Sequence, residues 1–248
     1  MGVHDFFQQL AQPLTGEELF DYLADTVYFV KDAQGAYVVV NRTLVERCGV
    51  ASKAALLGKT SVQVMGEPLG QQFTAQDEQV LASGNAMISQ LELHLHRTGR
   101  VGWCLTTKLP LHNRHGAVVG LVGASQDLRV PNLETRAYEQ VATAIRQSEN
   151  RLAEPPTITE MASLANMSVY QLDRRMKHVF GLSTGQWLLK CRIDFAQKLL
   201  TSSDQTIASI AQQVGYSDQS AFSRQFRAAT GLTPRLFRHA SRTAQGDS

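Results

Sequence analysis

The sequence has few of the features that mark membrane, secreted or disulfide-bonded proteins. No apolar run approaches the roughly 20 residues that a membrane-spanning helix needs, and the chain does not open with a basic segment followed by an apolar one. Its 3 cysteines, Cys48, Cys104 and Cys191, are scattered and show no metal-ligand spacing. We therefore expect no secretory signal, no disulfide framework and no membrane attachment, and we predict a reducing, cytoplasmic location.

The sequence also lacks the motifs of common enzyme classes. It contains no phosphate-binding Walker loop, no Gly-x-Ser-x-Gly nucleophile motif and no phospho-acceptor block of a histidine kinase. Three dispersed cysteines cannot form the four-cysteine zinc site of a methyl-acceptor repair domain. We predict that the protein is not an enzyme, and we predict no catalytic residue, no metal site and no resident cofactor.

Charge is distributed unevenly along the 248 residues, which suffice for two domains with separate cores. Residues 1–150 hold 12 Lys and Arg against 15 Asp and Glu, a net charge of −3. Residues 151–248 hold 12 against 7, a net charge of +5. A basic C-terminal half fits a polyanionic partner.

An internal repeat lies in this basic half, at residues 158–182 and 207–232. Each copy begins with Ile, has an apolar residue and Ala three and four positions later, and then a polar break with Ser. A basic helix that ends in Gly-Leu follows in both copies. Two helix-turn-helix modules joined by one long helix, predicted here over Thr184–Ser202, are typical of a protein that reads two adjacent stretches of DNA major groove.

Local signals predict where the helices of the repeat begin. Thr157 and Glu160 form a capping box, Ser168 caps the next helix, and either Ser217 or Asp218 caps its counterpart. The first helices of the two modules are predicted over 158–165 and 207–214. A short final helix is predicted over 234–240, followed by a disordered tail over 241–248.

The second module carries the most specific motif of the chain, IASIAQQVGYSDQSAFSRQFRAATGLTPRLFR. It resembles the signature of the AraC/XylS-type transcription regulators almost position for position, and the resemblance covers about 140–240. One departure is that no Pro opens the connecting helix, although Ser183 or Thr184 can still cap it. The resemblance implies an all-α domain over 154–240 that binds promoter DNA and commonly activates transcription by contacting RNA polymerase.

Positions that match the family pattern give the expected DNA contacts. Base edges would be met by Tyr170, Asp173 and Arg174 in the first module, and by Gln219, Ser220, Ser223 and Arg224 in the second. Phosphates would be met by Ser168, Arg175, Lys177, Thr206 and Arg227. Because phosphates repel a carboxylate, Asp173 either accepts from a cytosine or holds Arg174 or Lys177 in place, and the second reading is favoured.

The N-terminal half has a different pattern. The segment YFVKDAQGAYVVVN reads as a hairpin with a positive φ at Gly35, breaks divide 41–84 into short helices, and three alternating segments close the half. This order resembles a PAS domain over about 17–128. The resemblance implies an α+β fold with a five-stranded antiparallel sheet and short helices, used for sensing or dimerisation. Cys48 lacks the context of a photoactive flavin domain.

Alternation along the closing strands predicts which side chains face the interior. His94 and His96 fall on the polar side with Glu92 and are predicted to be solvated, which disfavours haem. If Trp103, Leu105 and Leu109 face inward, alternation places Cys104 outward or against a partner. The candidate pocket for a small polar effector consists of Tyr28 or Phe29, Asn41, Trp103, Thr107 and Ser125, although packing alone would need most of the same residues.

Residues 129–153 form the linker, where Pro131 breaks the strand pattern and a helix follows. This helix either relays a signal between the domains or is the first packing helix of the DNA-binding domain. The sequence as a whole predicts a transcription activator controlled by a small molecule in its PAS domain, and a homodimer formed through that domain. The alternative is that the PAS domain serves only dimerisation or protein interaction.

Overall fold

The structure is a computed structural model that describes residues 2–67, 69–95, 101–128 and 136–246. It contains two compact units: one comprises the described residues up to Gln90 and from His94 to Asp127, and the other comprises Leu91–Leu93 and the described residues from Leu128 onward. His96 and the break predicted at Pro131 lie outside the described residues.

The first unit is an α+β fold built on one sheet. Its elements are α1 (Val3–Phe7), α2 (Glu17–Phe20), β1 (Thr26–Asp32), β2 (Tyr37–Val40), α3 (Arg42–Cys48), a 3₁₀ turn (Lys53–Ala55), α4 (Ser61–Met65), α5 (Leu69–Ser83), β3 (Met87–Leu95), β4 (Val101–His112) and β5 (Val118–Asp127). The strand order is β2-β1-β5-β4-β3. Strand β1 pairs antiparallel with β2 and β5, and β5 pairs antiparallel with β4. The predicted five-stranded antiparallel sheet with short helices is confirmed.

The β1–β2 hairpin forms where the sequence predicts it. Gly35 has a φ of 75°, as expected for the turn. The Asp32 carboxylate accepts from the backbone N–H groups of Gln34 and Ala36, both at 2.9 Å. At the other end of β2, the Asn41 side chain caps α3 by accepting from the backbone N–H of Leu44. Local hydrogen bonds therefore fix both ends of this strand.

The apolar core of the first unit lies between the sheet and the helices. Val27 and Phe29 of β1 pack with Leu44, Leu56 and Leu121 in one buried cluster. A glycine is required beside Phe29 on β5, because a Cβ at Gly123 would lie 2.4 Å from the Phe29 ring. The odd-numbered residues of β1 therefore face the helices.

Two predictions about the closing strands are wrong. Cys104 is fully buried rather than outward, whereas Leu109 is 42% exposed rather than inward. Glu92 is 1% exposed, and His94 is half-buried with its ring against Phe73 rather than solvated. Alternation fixes which residues share a face of a strand but not which face meets the helices. Here the inner face of β4 is the one that carries the polar residues.

The second unit consists of seven helices over the described part of the chain. They are α6 (Arg136–Asn150), α7 (Ile158–Leu164), α8 (Val169–Phe180), α9 (Thr184–Ser202), α10 (Ile207–Gln213), α11 (Gln219–Thr230) and α12 (Pro234–Gly246). The predicted bounds of α9 are those observed. The final helix continues to Gly246, which corrects the disordered tail predicted from residue 241; residues 247–248 are outside the described part.

The two helix-turn-helix modules, α7–α8 and α10–α11, share a turn with a left-handed residue. Asn166 has a φ of 53° and Gly215 a φ of 81°. The next residue in each turn donates its backbone N–H to an alanine carbonyl at 2.9 Å, Met167 to Ala162 and Tyr216 to Ala211. The second connection is one residue longer, and Asp218 rather than Ser217 is its N-cap.

Helices α6 and α9 hold the modules in place. Val141, Ala144 and Ile145 of α6 are buried, and α6 contacts both α7 and α8. Trp187, Ile193 and the other apolar residues of α9 are buried around much of its circumference, because α9 contacts α8, α10 and α12. These contacts support the interpretation of α6 as a packing helix; a relay role stays a prediction.

Candidate DNA-contacting helices and the interior of the sheet unit

Helix α8 is fixed at both of its ends and along its inner side. The Ser168 hydroxyl accepts from the backbone N–H of Gln171 at 3.2 Å, and the Gln171 side chain accepts from the backbone N–H of Ser168 at 2.9 Å. Leu172 and Met176 are fully buried, and Gly181 ends the helix in a left-handed conformation. These contacts hold α8 in one orientation, so the side chains on its outer side have fixed starting points.

The outer side of α8 carries most of the predicted contact residues. Tyr170 is 74% exposed, and Arg174 and Lys177 are exposed. Arg175 is half-buried. An exposed guanidinium and a phenol on a rigid helix can reach base edges or phosphates of a duplex without rearrangement of the helix.

Asp173 lies between α8 and the start of α9. Its carboxylate accepts from the backbone N–H of Thr184 at 2.9 Å and forms an ion pair with Lys177, also at 2.9 Å. Burial raises the pKa of this carboxyl, but the hydrogen bonds from Lys177 and Thr184 outweigh burial and leave the pKa below its ordinary value. Of the two readings of Asp173, these contacts support the one in which it holds Lys177.

Helix α11 repeats this arrangement with a different cap. The Asp218 carboxylate accepts from the backbone N–H of Ala221 at 2.7 Å, and Phe222 and Phe226 are fully buried. The predicted contact residues lie on the other sides of the helix: Gln219, Ser220, Arg224 and Arg227 are exposed, and Ser223 is half-buried. Both modules thus place exposed polar and basic side chains on a capped helix.

Two of the predicted phosphate contacts, Ser168 and Thr206, are N-caps. Thr206 accepts from the backbone N–H of Ser209 at 3.1 Å, as Ser168 does from Gln171. Each side chain is exposed, and each hydroxyl keeps its own proton for donation to a phosphate. Capping and phosphate binding are therefore compatible in these residues.

The six predicted pocket residues divide between the two faces of the sheet. Tyr28 faces away from the helical side: it stacks on Phe20 with ring centroids 4.3 Å apart and donates to the Thr15 carbonyl. Thr107 shares that face, because both residues pair with Ala124 of β5. Trp103 lies four residues before Thr107 on β4, so it shares that face of the sheet, and it is half-buried. The structure does not bring these three together with the interior.

The other three pocket candidates, Phe29, Asn41 and Ser125, are buried. Asn41 is committed to the fold, because its amide donates to the Thr26 and Phe20 carbonyls while its oxygen accepts from Tyr28. Ser125 shares a hydrogen bond of 2.9 Å with Thr106. Phe29 and Ser125 are thus the two candidates that line the interior without serving as a helix cap.

The interior also contains charged groups that were not predicted from the sequence. Asp77 of α5 forms ion pairs with Lys31 of β1 and with Lys108 of β4, the second at 2.6 Å. Lys31 also contacts the Ser61 hydroxyl at 2.5 Å and the Tyr37 ring at 4.2 Å from its centroid. All three charged residues are at most 2% exposed. This trio is named the buried charge cluster.

Burial lowers the pKa of Lys31 to about 8, with the Lys108 ammonium adding to the effect and Asp77 opposing it. A signal for Lys31 exists in the sequence, because Lys31 continues the inward series of Val27 and Phe29 at a spacing of two. The partner Asp77 lies 46 residues away on a helix, and nothing local indicates that pairing.

Comparisons with known proteins agree with both units. A family model described as a PAS fold matches residues 5–130, and one described as a helix-turn-helix domain matches residues 161–240. The MmsAB operon regulatory protein of Pseudomonas aeruginosa is 36% identical over 89 residues, which cover 36% of this chain and 29% of that protein. The transcriptional activator NphR of a Rhodococcus species is 32% identical over 82 residues, covering 33% of this chain and 24% of that protein.

Among solved structures, the DNA-binding domain of AdpA, in complex with a target DNA, is 28% identical. The match covers 44% of this chain and 98% of that one, with a TM-score of 0.42. The matched stretch spans about a third of the length of the curated relatives. The chain belongs to the PAS-fold family, and its C-terminal region is a helix-turn-helix domain of the AraC type. None of the helices in the part that the structure describes could cross a membrane.

Proposed function

We propose that the protein is a sequence-specific DNA-binding transcription regulator that activates its target genes in response to a small molecule bound by the PAS domain. The observation that carries the DNA-binding part is the pair of capped helices, α8 and α11, each with exposed basic and polar side chains. They occur in a basic half of the chain and in a repeated helix-turn-helix motif, and such helices enter the major groove.

In this proposal α8 and α11 are the recognition helices and read two consecutive segments of major groove. Arg174 and Arg224 each donate two hydrogen bonds to the edge of a guanine, and Gln219 forms two hydrogen bonds with the edge of an adenine. Tyr170, Ser220 and Ser223 contact neighbouring base edges. The phosphate contacts come from Ser168, Arg175, Lys177, Thr206 and Arg227, with Asp173 positioning Lys177.

The control part of the proposal concerns the PAS domain. Its interior contains the buried charge cluster together with Phe29 and Ser125, a mixture of apolar and polar groups that suits a small polar effector. Binding there would change the arrangement or the pairing of PAS domains, and the AraC-type domain would then contact RNA polymerase, as this family commonly does.

A second candidate role for the PAS domain is dimerisation without an effector. The apolar side chains of Val38, Ile88, Leu109 and Val119 lie on strands of the sheet and are 42–62% exposed. Exposed apolar residues on strands favour pairing with a second sheet. This role is compatible with the same DNA-binding mechanism.

The DNA-binding part is tested with full-length protein and sites selected from random duplexes, at one fixed salt concentration. Arg174→Ala and Arg224→Ala should each weaken binding by about 1–3 kcal/mol, a factor of roughly 5 to 150. Each should relax specificity at a different half of the selected site. Fluorescence anisotropy gives the affinity, and repeated selection gives the specificity.

Arg114→Ala is the matched control, because Arg114 is an exposed arginine in the β4–β5 turn. This variant removes the same charge outside the recognition helices and should leave affinity and specificity unchanged. The proposed base readout is wrong if the two recognition-helix variants weaken all sequences equally. Absence of any preferred sequence for the unmodified protein would overturn sequence-specific binding itself.

A further inference from the structure

Three potential metal ligands meet on two neighbouring strands of the PAS sheet. Glu92 and His94 lie on β3, and Cys104 lies on β4, which is hydrogen-bonded to β3. The carboxylate oxygen, imidazole nitrogen and thiol sulfur that they offer all lie within 4.8 Å of one another. Cys104 lies ten residues after His94 in the sequence, and the spacing of the three cysteines does not indicate this site.

Strand geometry explains how the three residues come together. Glu92 and His94 are two positions apart and therefore share one face of β3. Cys104 occupies the inner face of β4 together with the buried Thr106 and Lys108. The corrected orientation of both strands, with Glu92 and Cys104 buried, is what directs these groups to one point.

The chemistry of this donor set suits a divalent transition ion of intermediate softness. Thiolate, imidazole and carboxylate are the protein ligands of zinc, and three of them leave one position of a tetrahedral ion for water or a further ligand. A dication with one thiolate and one carboxylate is neutral overall, so the loaded site carries little desolvation cost in a buried position. We propose that Glu92, His94 and Cys104 bind a zinc ion.

The surroundings hold two of the ligands in place. The His94 ring lies against Phe73 with centroids 5.0 Å apart. The Cys104 sulfur is 3.7 Å from the Thr106 hydroxyl, which is 2.9 Å from the Ser125 hydroxyl. With Ser125 donating to Thr106, the Thr106 hydroxyl can donate to a thiolate, which is the kind of outer contact that orients a metal ligand. His94 is half-buried and gives the ion a route to the otherwise buried site.

The experiment uses full-length protein that has been stripped with a chelator and then titrated with Co²⁺ and Zn²⁺. Unmodified protein should bind about one ion per chain, and Co²⁺ should give a thiolate-to-metal charge-transfer band that Zn²⁺ abolishes. Cys104→Ser should remove that band and weaken Zn²⁺ binding at least about tenfold. Zn²⁺ should raise the thermal unfolding temperature of the unmodified protein but not of this variant.

Cys48→Ser and Cys191→Ser are the matched controls, because they remove the two thiols outside the site. Both should keep the band and the stoichiometry. Glu92→Gln preserves size and provides a second weakened variant if Cys104→Ser fails to fold. The proposal is overturned if the unmodified protein binds no stoichiometric metal, or if the band persists in Cys104→Ser. Neither result bears on DNA binding or on an organic effector, so this site stands or falls apart from the proposed function.

Discussion

Asp173 joins helix α8 to helix α9, which follows it. Thr184 is fully buried, and its backbone N–H, one of the unpaired donors at the start of α9, reaches the Asp173 carboxylate rather than water. A buried donor that loses its acceptor costs about 1–3 kcal/mol, whereas an exposed ion pair between residues four apart contributes only about 0.2–0.5 kcal/mol. The contact with Thr184 should therefore dominate over the contact with Lys177.

Substitution of Asp173 separates these two contributions. Asp173→Ala should lower the free energy of unfolding by about 1–3 kcal/mol at neutral pH, because Thr184 loses its acceptor. Asp173→Asn keeps an oxygen for Thr184 and loses only the charge opposite Lys177, so it should cost clearly less. Urea unfolding measures both values, and equal losses in the two variants would show that the charge matters more than the hydrogen bond.

The same carboxylate should make part of the stability depend on pH. Its pKa in the folded protein is below the ordinary value, so folding favours the ionised form. The stabilisation is complete above the pKa of the unfolded chain and is lost as the pH falls through the folded pKa. The difference between the unmodified protein and Asp173→Asn should accordingly shrink in acid.

At the scale of elements, local sequence signals predict where a helix begins and ends, but they do not predict which elements pack together. The bounds of α9 are predictable because Ser183 caps it, with Gln186 completing a capping box, and polar residues end it. The orientation of β3 and β4 is not, because alternation leaves the choice of inner face to tertiary packing. The buried charge cluster is harder still to predict from the sequence, because its three members come from two strands and a helix that are far apart in the chain.

The turns of the two modules each need one residue in the left-handed conformation, which is Asn166 in the first module and Gly215 in the second. Gly215 has a φ of 81°, and a Cβ there would lie 2.9 Å from the Leu152 carbonyl oxygen. Gly215→Ala should therefore destabilise the helical domain by more than the roughly 1–2 kcal/mol of left-handed strain alone. Asn166→Gly should be neutral or slightly stabilising, because Asn already adopts a φ of 53° there at some cost.

Gly185→Ala is the control for this pair. Gly185 lies in the first turn of α9, and a Cβ there would meet nothing within 4 Å. Alanine should stabilise that helix by roughly 0.5–1 kcal/mol. Thermal or urea unfolding of the three variants tests the argument, which fails if Gly215→Ala is as stable as the unmodified protein.

At the scale of the whole molecule, the two halves differ in charge and in the kind of partner they suit. The C-terminal half carries a net charge of +5 and helices α8 and α11, whereas the N-terminal half carries −3 and exposes apolar side chains on its sheet. A negative half gains nothing from contact with DNA. In the proposed function its partner is a small molecule, a second copy, or both. These possibilities lead to different masses for the intact protein.

Native mass spectrometry of the full-length protein, followed by denaturation and identification of released compounds, distinguishes them. If the PAS domain senses an effector, a compound should accompany the protein, and Lys31→Met should lose it because the substitution removes the ammonium group but keeps an apolar stem of similar length.

A dimer with no organic compound in either protein would favour the purely dimerising role. In that case Leu109→Lys, which places a charge on the exposed sheet surface, should yield a monomer. If the Lys31→Met variant retains the compound as well as the unmodified protein does, the buried charge cluster is excluded as the binding site. Removal of a cation that contacts the compound would weaken the binding of that compound.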